Sequence, residues 1–145
     1  MIVRPAEVED IPALATIAER SYRAAFAGIL EPEVLEGRNA AFFAERFASS
    51  WERMLIALSD EKPVGFLLMT DGHIDMLFMD PATGGRGGGA LLLKEAEVRG
   101  ARTLECFRDN HGARRFYERH GWHVDQEYDR EFAGTSRSFV LYAKG

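Results

Sequence analysis

The chain has 145 residues, of which 46% are hydrophobic and 28% are charged, a balance typical of one globular domain, here expected over residues 1–145. Its 23 acidic and 18 basic residues give a net charge of -5, which disfavours a phosphate backbone as partner, so we expect no nucleic acid ligand. A single cysteine excludes an internal disulfide, and no apolar stretch reaches the roughly 20 residues of a membrane span, so we expect a cytoplasmic protein without a membrane partner.

Hydrophobic periodicity divides the chain into helices and strands. Apolar residues recur at helical spacing from Ile11 onward, with Asp10 as the expected N-cap and Pro12 in the first turn. In chain order the pattern predicts a strand over 2–4, helices over 11–26 and 40–51, antiparallel strands over 54–58, 64–70 and 74–79, a helix over 90–99, a strand over 103–107, a helix from Asn110 to Gly121, and a hairpin of strands over 122–132 and 136–143. This order predicts a mixed α/β (α+β) fold with a mostly antiparallel central sheet and one parallel βαβ crossover.

Five of the 14 glycines lie between residues 84 and 89, directly before the helix over 90–99. Free N–H groups at a helix N-terminus and the helix dipole attract an anion, and residues without a β-carbon let a phosphate approach the backbone. Arg86 adds a positive charge. Because each glycine inside helical structure costs about 1 kcal/mol relative to alanine, we favour a phosphate site over a merely flexible connection.

The same glycines also fit the dinucleotide-binding fingerprint G-x-G-x-x-A over residues 85–90. Glu105 even follows at the distance expected of a ribose-binding acid. However, dinucleotide folds place these glycines tightly after a strand that begins a doubly wound parallel sheet, whereas three antiparallel strands and a turn come first here. An NAD-dependent oxidoreductase is therefore the weaker interpretation.

Two motifs together resemble the GNAT superfamily of N-acetyltransferases. The superfamily's acetyl-CoA loop, Q/R-x-x-G-x-G/A after a strand and turn, is similar to Leu77-Phe78-Met79-Asp80-Pro81 followed by Gly84-Gly85-Arg86-Gly87-Gly88-Gly89-Ala90. A second signature, N-x-x-A-x-x-F-Y-x-x-x-G-F/W, is matched by Asn110, Ala113, Phe116, Tyr117, Gly121 and Trp122. Gly84 stands where the superfamily usually has Gln or Arg, which removes a side chain from the loop and leaves its backbone donors. The resemblance implies a three-layer fold, acetyl-CoA as cosubstrate and acetyl transfer to a primary amine.

The resemblance also implies roles for individual residues. It places the backbone N–H of Leu77 against the acetyl oxygen and pairs the Met79 backbone with the pantetheine arm. It makes Tyr117 the general acid that protonates the departing thiolate while the amine attacks directly in a ternary complex. The cofactor-binding residues that it implies are Leu77, Phe78, Met79, Gly84, Gly85, Arg86, Gly87, Gly88, Gly89, Ala90 and Asn110.

The general base stays open among His73, Asp75, Glu105 and water. If the strand over 74–79 is regular, His73 and Asp75 share one face, and Glu105 lies on the adjacent parallel strand. A histidine with a pKa near 6.5 needs little tuning to accept a proton, whereas a carboxylate would act through water or hold the cationic amine. Asp75 is conspicuous because a lone carboxylate in an apolar strand has either a catalytic task or a hydrogen-bond partner, and we weigh both equally.

Other features receive structural interpretations. His120 and His123 lack a third ligand at metal spacing, so we expect no metal site. We expect Cys106 to be an unreactive residue of the core. The acceptor amine stays unidentified, and its pocket is expected to draw, without ranking, on Tyr22, Phe26, Phe42, Tyr128, Arg130 and Phe132. A non-catalytic acyl-CoA-binding module on the same fold is the alternative function, and a homodimer is left open.

Overall fold

The computed structural model describes residues 1–83 and 87–145, so the site predictions for Gly84, Gly85 and Arg86 lie outside the described residues. In chain order the elements are β1 (Ile2–Pro5), α1 (Ile11–Phe26), α2 (Pro32–Gly37), α3 (Ala40–Ala48), β2 (Met54–Ser59), β3 (Lys62–Thr70), β4 (His73–Met79), α4 (Gly88–Val98), β5 (Thr103–Phe107), α5 (His111–Arg119), β6 (Trp122–Phe132) and β7 (Thr135–Lys144).

The seven strands of the described residues form one sheet in the order β1-β2-β3-β4-β5-β7-β6. Neighbouring strands are antiparallel except for β4 and β5, which α4 connects and which run parallel. The predicted mixed α/β fold with one parallel crossover is therefore confirmed. None of the helices within the described ranges combines the length and hydrophobicity that a bilayer span requires.

Several helix boundaries differ from the sequence predictions. Helix α2 was not predicted at all. The helix predicted over 40–51 ends at Ala48, because the hydroxyls of Ser49 and Ser50 donate to the Arg46 carbonyl and compete with further helical pairing. Asp10 occupies the predicted N-cap position of α1, but its carboxylate makes no capping hydrogen bond to that helix and accepts the Glu7 backbone N–H at 2.8 Å instead.

The helix predicted over 90–99 begins two residues earlier, at Gly88, so Gly88 and Gly89 belong to the helix and not to the loop. The reason is Gly87, which precedes the helix with a φ of 84°. This left-handed conformation suits glycine and redirects the chain into the helix.

The sheet separates two apolar cores. The first, called the α1/α3 core, contains the fully buried Phe43, Phe47 and Phe66 beneath α1 and α3. The second, called the α4/α5 core, contains Leu92 and Leu93 of α4, which are fully buried. Tyr117 of α5 also belongs to this core. Burial on both faces explains why β2 and β3 read as nearly continuous apolar runs instead of alternating patterns.

A β-bulge at Asp75 interrupts the pairing of β3 with β4. Leu68 pairs with Met76 and Met69 pairs with Ile74, which leaves Asp75 without a partner in the ladder. The bulge breaks the strict alternation of faces, so Ile74 packs in the α4/α5 core and Met76 in the α1/α3 core. The prediction that His73 and Asp75 share one face rested on a regular strand, and the bulge removes that premise, although both residues line the same cavity.

Gly65 on β3 offers a test of the close packing beneath the start of α4. A β-carbon there would lie 2.3 Å from Met79 Sδ and 2.8 Å from the Phe78 carbonyl oxygen. We expect Gly65→Ala to lower the free energy of unfolding by about 1–3 kcal/mol, since the backbone carbonyl cannot yield as a flexible side chain can. Urea unfolding followed by circular dichroism measures the change.

The matched control is Gly37→Ala at the end of α2, where a β-carbon meets nothing within 4 Å. This control should be neutral or slightly stabilising. Equal stability of the Gly65→Ala variant and the unmodified chain would contradict the packing described here.

Candidate active site

The strands β4 and β5 pair only at their first residues. The pairs are His73 with Thr103 and Ile74 with Leu104, and the remainder of β4 has no partner on its β5 side. The strands diverge beyond these pairs, and a cavity of about 300 Å³ lies between them, lined by residues of both cores. The divergence leaves backbone N–H and C=O groups of β4 facing a space that a ligand can enter.

Backbone alternation identifies which groups of β4 face the opening. The Asp80 N–H donates to the Val64 carbonyl at 2.7 Å, so Asp80 turns its backbone toward β3. Because successive residues of a strand direct these groups to opposite sides, Phe78 also turns toward β3, whereas Leu77 and Met79 turn theirs away from β3. Of these two residues, Leu77 lines the cavity. An extended ligand can therefore add to β4 as another strand would.

The N-terminus of α4 lies at one end of this opening. A β-carbon at Gly88 would lie 2.2 Å from Met79 Cε, and one at Gly89 would lie 3.4 Å from Phe116 Cζ, so both glycines serve the packing of α4 against its neighbours. A β-carbon at Gly87 would meet nothing within 4 Å among the described residues. Of the three described glycines at the start of α4, Gly87 is therefore the one whose backbone a ligand can approach without meeting a described residue, and Ala90 lies just inside the first turn of the helix.

Buried Asp80 fixes the turn that leads toward the glycine loop. Its carboxylate accepts a hydrogen bond from Arg20 of α1 at 3.1 Å and another from the Ala82 backbone N–H at 3.0 Å. Ser21 of α1 donates to the Met79 carbonyl at 3.3 Å. Helix α1 therefore holds both the end of β4 and the following turn.

Tyr117 of α5 lines the cavity from the side of the α4/α5 core. Its ring packs against Phe116, Trp122 and Tyr142, with centroid distances of 5.4, 6.4 and 5.9 Å. Asn110 also lines the cavity, and its side chain caps α5 by accepting the Ala113 N–H at 3.3 Å. Burial raises the pKa of Tyr117, so its hydroxyl remains protonated at neutral pH, as a proton donor must.

His73 and Asp75 both line the cavity but occupy different environments. His73 Nδ1 lies 2.9 Å from the Thr103 hydroxyl, a contact that orients the ring where the two strands still pair. Exposed Asp75 accepts a hydrogen bond from the Thr70 hydroxyl at 2.7 Å, and that hydroxyl accepts one from Arg53 Nε at 3.1 Å. Asp75 therefore has a hydrogen-bond partner, one of the two alternatives that the sequence left open. That partner, Thr70, is the last residue of β3 and not a loop residue.

Glu105 on β5 is held by two residues of β6. Its carboxylate accepts a hydrogen bond from the Tyr128 hydroxyl at 2.5 Å, and Arg130 donates to both of its oxygens, with Nε at 2.9 Å. Burial alone would raise the pKa of Glu105, but the bonds from Arg130 and Tyr128 outweigh it and lower that pKa. Glu105 stays ionised and both of its oxygens already accept hydrogen bonds, which makes it the poorest general base of the three candidate residues.

Cys106 follows Glu105 on β5 and also lines the cavity. Burial raises the pKa of its thiol to about 12. At neutral pH the group is therefore a thiol and a poor nucleophile, in agreement with the interpretation of Cys106 as chemically inert.

Aromatic rings line the cavity on the side of the α1/α3 core. Of the residues expected there from the sequence, Tyr22, Phe26, Arg130 and Phe132 line it. Sequence reasoning missed Phe107, Phe139 and Arg46. Phe42 and Tyr128, which were also expected there, do not line it, so the helical spacing of Arg46 after Phe42 gave no signal for the position of Arg46.

Comparisons with known proteins agree with this geometry. Residues 18–139 match the family described as Acetyltransferase (GNAT) domain. The peptidyl-lysine N-acetyltransferase YjaB of Salmonella typhimurium is 37% identical over 71 residues, a match that covers 48% of this chain and 49% of that protein, about half the length of each.

Solved structures match the chain over nearly its whole length. A GCN5-related N-acetyltransferase from Rhodopseudomonas palustris is 29% identical with a TM-score of 0.77, covering 99% of this chain and 94% of that one. The apo form of YjaB from Escherichia coli is 25% identical with a TM-score of 0.78, covering 99% and 97%. The PaiA N-acetyltransferase from Thermoplasma acidophilum, solved in complex with coenzyme A, shares the fold at 21% identity and a TM-score of 0.77, covering 99% and 98%.

The Glu105 network predicts a pH-dependent contribution to stability. Because the native pKa of Glu105 is lowered, its ionised form stabilises the fold above the ordinary carboxyl pKa, and this contribution is lost as the pH falls through the lowered native value. We expect Glu105→Gln to lower the free energy of unfolding by about 1 kcal/mol at pH 7. The difference should shrink steadily below about pH 4.5, as measured by urea unfolding across pH.

The control is Glu95→Gln, which removes the exposed ion pair between Glu95 and Arg99 on α4. Exposed pairs of this kind contribute about 0.2–1 kcal/mol or nothing measurable. A Glu105→Gln effect that is the same at pH 3 and pH 7 would show that the charge of Glu105 does not matter.

Proposed function

The chain belongs to the acetyltransferase (GNAT) domain family, and from this we propose that it transfers an acetyl group from acetyl-CoA to a primary amine of a small molecule or peptide. In this proposal residues 1–145 form a single N-acetyltransferase domain, and the amine attacks directly in a ternary complex. The observation that carries the proposal is the cavity between the diverging strands. Backbone groups of β4 face it on one side. Tyr117, whose hydroxyl keeps its proton at neutral pH, lines it on another side.

The cosubstrate is bound, in this proposal, by backbone groups more than by side chains. The free N–H groups at the start of α4 take the pyrophosphate, assisted by the helix dipole. The pantetheine arm adds to the open side of β4 at Met79, and the Leu77 N–H stabilises the oxygen of the thioester carbonyl as negative charge develops on it. Gly84, Gly85 and Arg86 contribute to the same phosphate site.

The reaction requires two proton transfers. The amine nitrogen attacks the acetyl carbon, the carbon–sulfur bond breaks, and the departing thiolate takes the proton of the Tyr117 hydroxyl. The attacking nitrogen loses its extra proton to His73 through water, since the contact with Thr103 orients the His73 ring beside the cavity. Asp75 attracts the ammonium form of the acceptor to the same place, where the ammonium gives one proton to solvent before the neutral amine attacks. Tyr117 recovers its proton from solvent after the product leaves.

A non-catalytic acyl-CoA-binding module would need the same backbone groups but no proton donor. The position of Tyr117 favours the enzyme, because a binding module gains nothing from a hydroxyl directed at the sulfur. The name of the Salmonella relative makes the lysine side chain of a peptide one acceptor to include among the amines tested.

The Tyr117→Phe variant separates the two functions. It keeps the ring and its packing and removes only the hydroxyl. We expect the unmodified chain to release the CoA thiol from acetyl-CoA when a pool of primary amines is present, and we expect kcat for the variant to fall by about 10² with little change in acetyl-CoA affinity. Thiol release under single-turnover conditions measures the chemical step.

The control is Tyr142→Phe, since the Tyr142 hydroxyl bonds to Arg114 and Glu118 outside the proposed mechanism. That variant should lose stability and retain kcat. A Tyr117→Phe variant with unchanged kcat would remove Tyr117 from the mechanism, and the absence of thiol release from the unmodified chain would favour the binding module.

Gly87→Ala tests the proposed phosphate site. A β-carbon there meets no described residue but would stand where the phosphate approaches, and the residue has a φ of 84°. We expect acetyl-CoA affinity to fall about tenfold or more, measured by isothermal titration calorimetry.

The control is Gly100→Ala after α4, where φ is 102° and a β-carbon likewise meets nothing within 4 Å. Both variants carry the strain of a left-handed alanine and should lose similar stability, but only Gly87→Ala should weaken acetyl-CoA binding. Equal acetyl-CoA affinity of the two variants would refute the assignment of the loop.

A further inference from the structure

Two arginines stand at the acceptor side of the cavity. Arg46 of α3 lines it. Arg38, just before α3, stacks its guanidinium group on Phe132, whose ring also lines the cavity, with Cζ 5.3 Å from the ring centroid. Both charges act on Tyr22, where they oppose the rise in pKa that burial causes. The two guanidinium groups therefore flank the same cavity wall.

These two arginines differ from the others at this end of the molecule in their lack of acidic partners. Arg130 pairs with Glu105, and Arg137 pairs with Glu31 at 2.7 Å. Within residues 1–83 and 87–145, neither Arg38 nor Arg46 forms an ion pair with a carboxylate. The positive charge on this wall is not neutralised by the described part of the protein.

The negative charges of Asp75 and Glu105 and the positive charge of Arg46 lie on different elements around the cavity. The carboxylates of Asp75 and Glu105 belong to the two diverging strands, where the transfer reaction is proposed to occur. Arg46 belongs to α3, which packs over one face of the sheet and forms the outer wall. A molecule with a positive group directed at the strands and a negative group directed at α3 would match this arrangement.

We infer, on the basis of the proposed function, that the acceptor is an amine that also carries a carboxylate group, which Arg46 and Arg38 bind. A guanidinium group offers two parallel N–H donors whose spacing fits a carboxylate, so the pair gains directional hydrogen bonds as well as charge attraction. A diamine would place its second ammonium against two guanidinium groups, and like charges at such a site oppose binding. The aromatic rings of Tyr22, Phe26 and Phe132 would contact the aliphatic part of the acceptor between its two ends.

The test compares acceptors that differ only in this distal group. One pair is Nα-acetyl-lysine and its carboxamide, which have the same reactive amine and the same length. A second set comprises linear ω-amino acids of two to six carbons, their carboxamides and the corresponding diamines. We expect kcat/KM for the best carboxylate to exceed that of its carboxamide by about tenfold or more, and to exceed that of the diamine further, mainly through KM.

Variants of Arg46 connect this preference to the arginines. Arg46→Met should abolish most of the preference by raising KM for the carboxylate while leaving the carboxamide within about twofold. Arg46→Glu should invert the preference toward the diamine, and Arg38→Met should act in the same direction as Arg46→Met. The control is Arg99→Met, which removes an exposed arginine of the turn after α4 that pairs with Glu95, and which should leave all values unchanged.

The outcomes distinguish this inference from the function on which it rests. Thiol release with carboxylates and carboxamides at equal kcat/KM, or an Arg46→Met variant that weakens both equally, overturns the carboxylate assignment and leaves the acetyltransferase proposal standing. Absence of thiol release with every amine overturns the acetyltransferase proposal and the carboxylate assignment with it.

Discussion

The divergence of β4 from β5 is the constraint on which the rest of the site depends. A parallel pair that continued along both strands would satisfy every backbone group and close the sheet. Here the pairing ends after Ile74 and Leu104, and the bulge at Asp75 lies at the point where the strands separate. The backbone groups of β4 that face away from β3 beyond this point have no strand partner, and under the proposed function an extended thioester cosubstrate takes the place of that strand.

The two apolar cores then determine what approaches from each side. The α4/α5 core holds Tyr117 and lies beneath α4, so under the proposed function this face of the sheet receives the phosphorylated cosubstrate. The α1/α3 core presents aromatic rings and Arg46 to the other side of the cavity. Two reactants can therefore meet at the gap between the strands without competing for the same space, which is the geometry that a ternary complex requires.

The titratable residues of the cavity differ in the hydrogen bonds that their side chains form. Arg130 and Tyr128 hold Glu105 in its ionised state, and the lowered pKa removes it as a proton acceptor. His73 Nδ1 lies within hydrogen-bond distance of the Thr103 hydroxyl, and under the proposed function His73 is the residue that accepts the proton. The site thus assigns different tasks to neighbouring titratable residues through their hydrogen-bond partners, not through their residue types.

The sequence by itself determined the order of the strands and of the longer helices, the mixed α/β class and the parallel crossover, because hydrophobic periodicity and glycine or proline breaks act over a few residues. It also indicated the family through Asn110, Tyr117 and the glycine run, since those motifs are local as well. Only the tertiary structure decided the bulge at Asp75, the partners of Glu105 on β6 and the presence of Arg46 at the cavity, because each depends on how separate elements pair or pack against one another. Periodicity assumes regular strands and sees one segment at a time, whereas strand register and the packing of α3 over the sheet are set by the simultaneous fit of both cores.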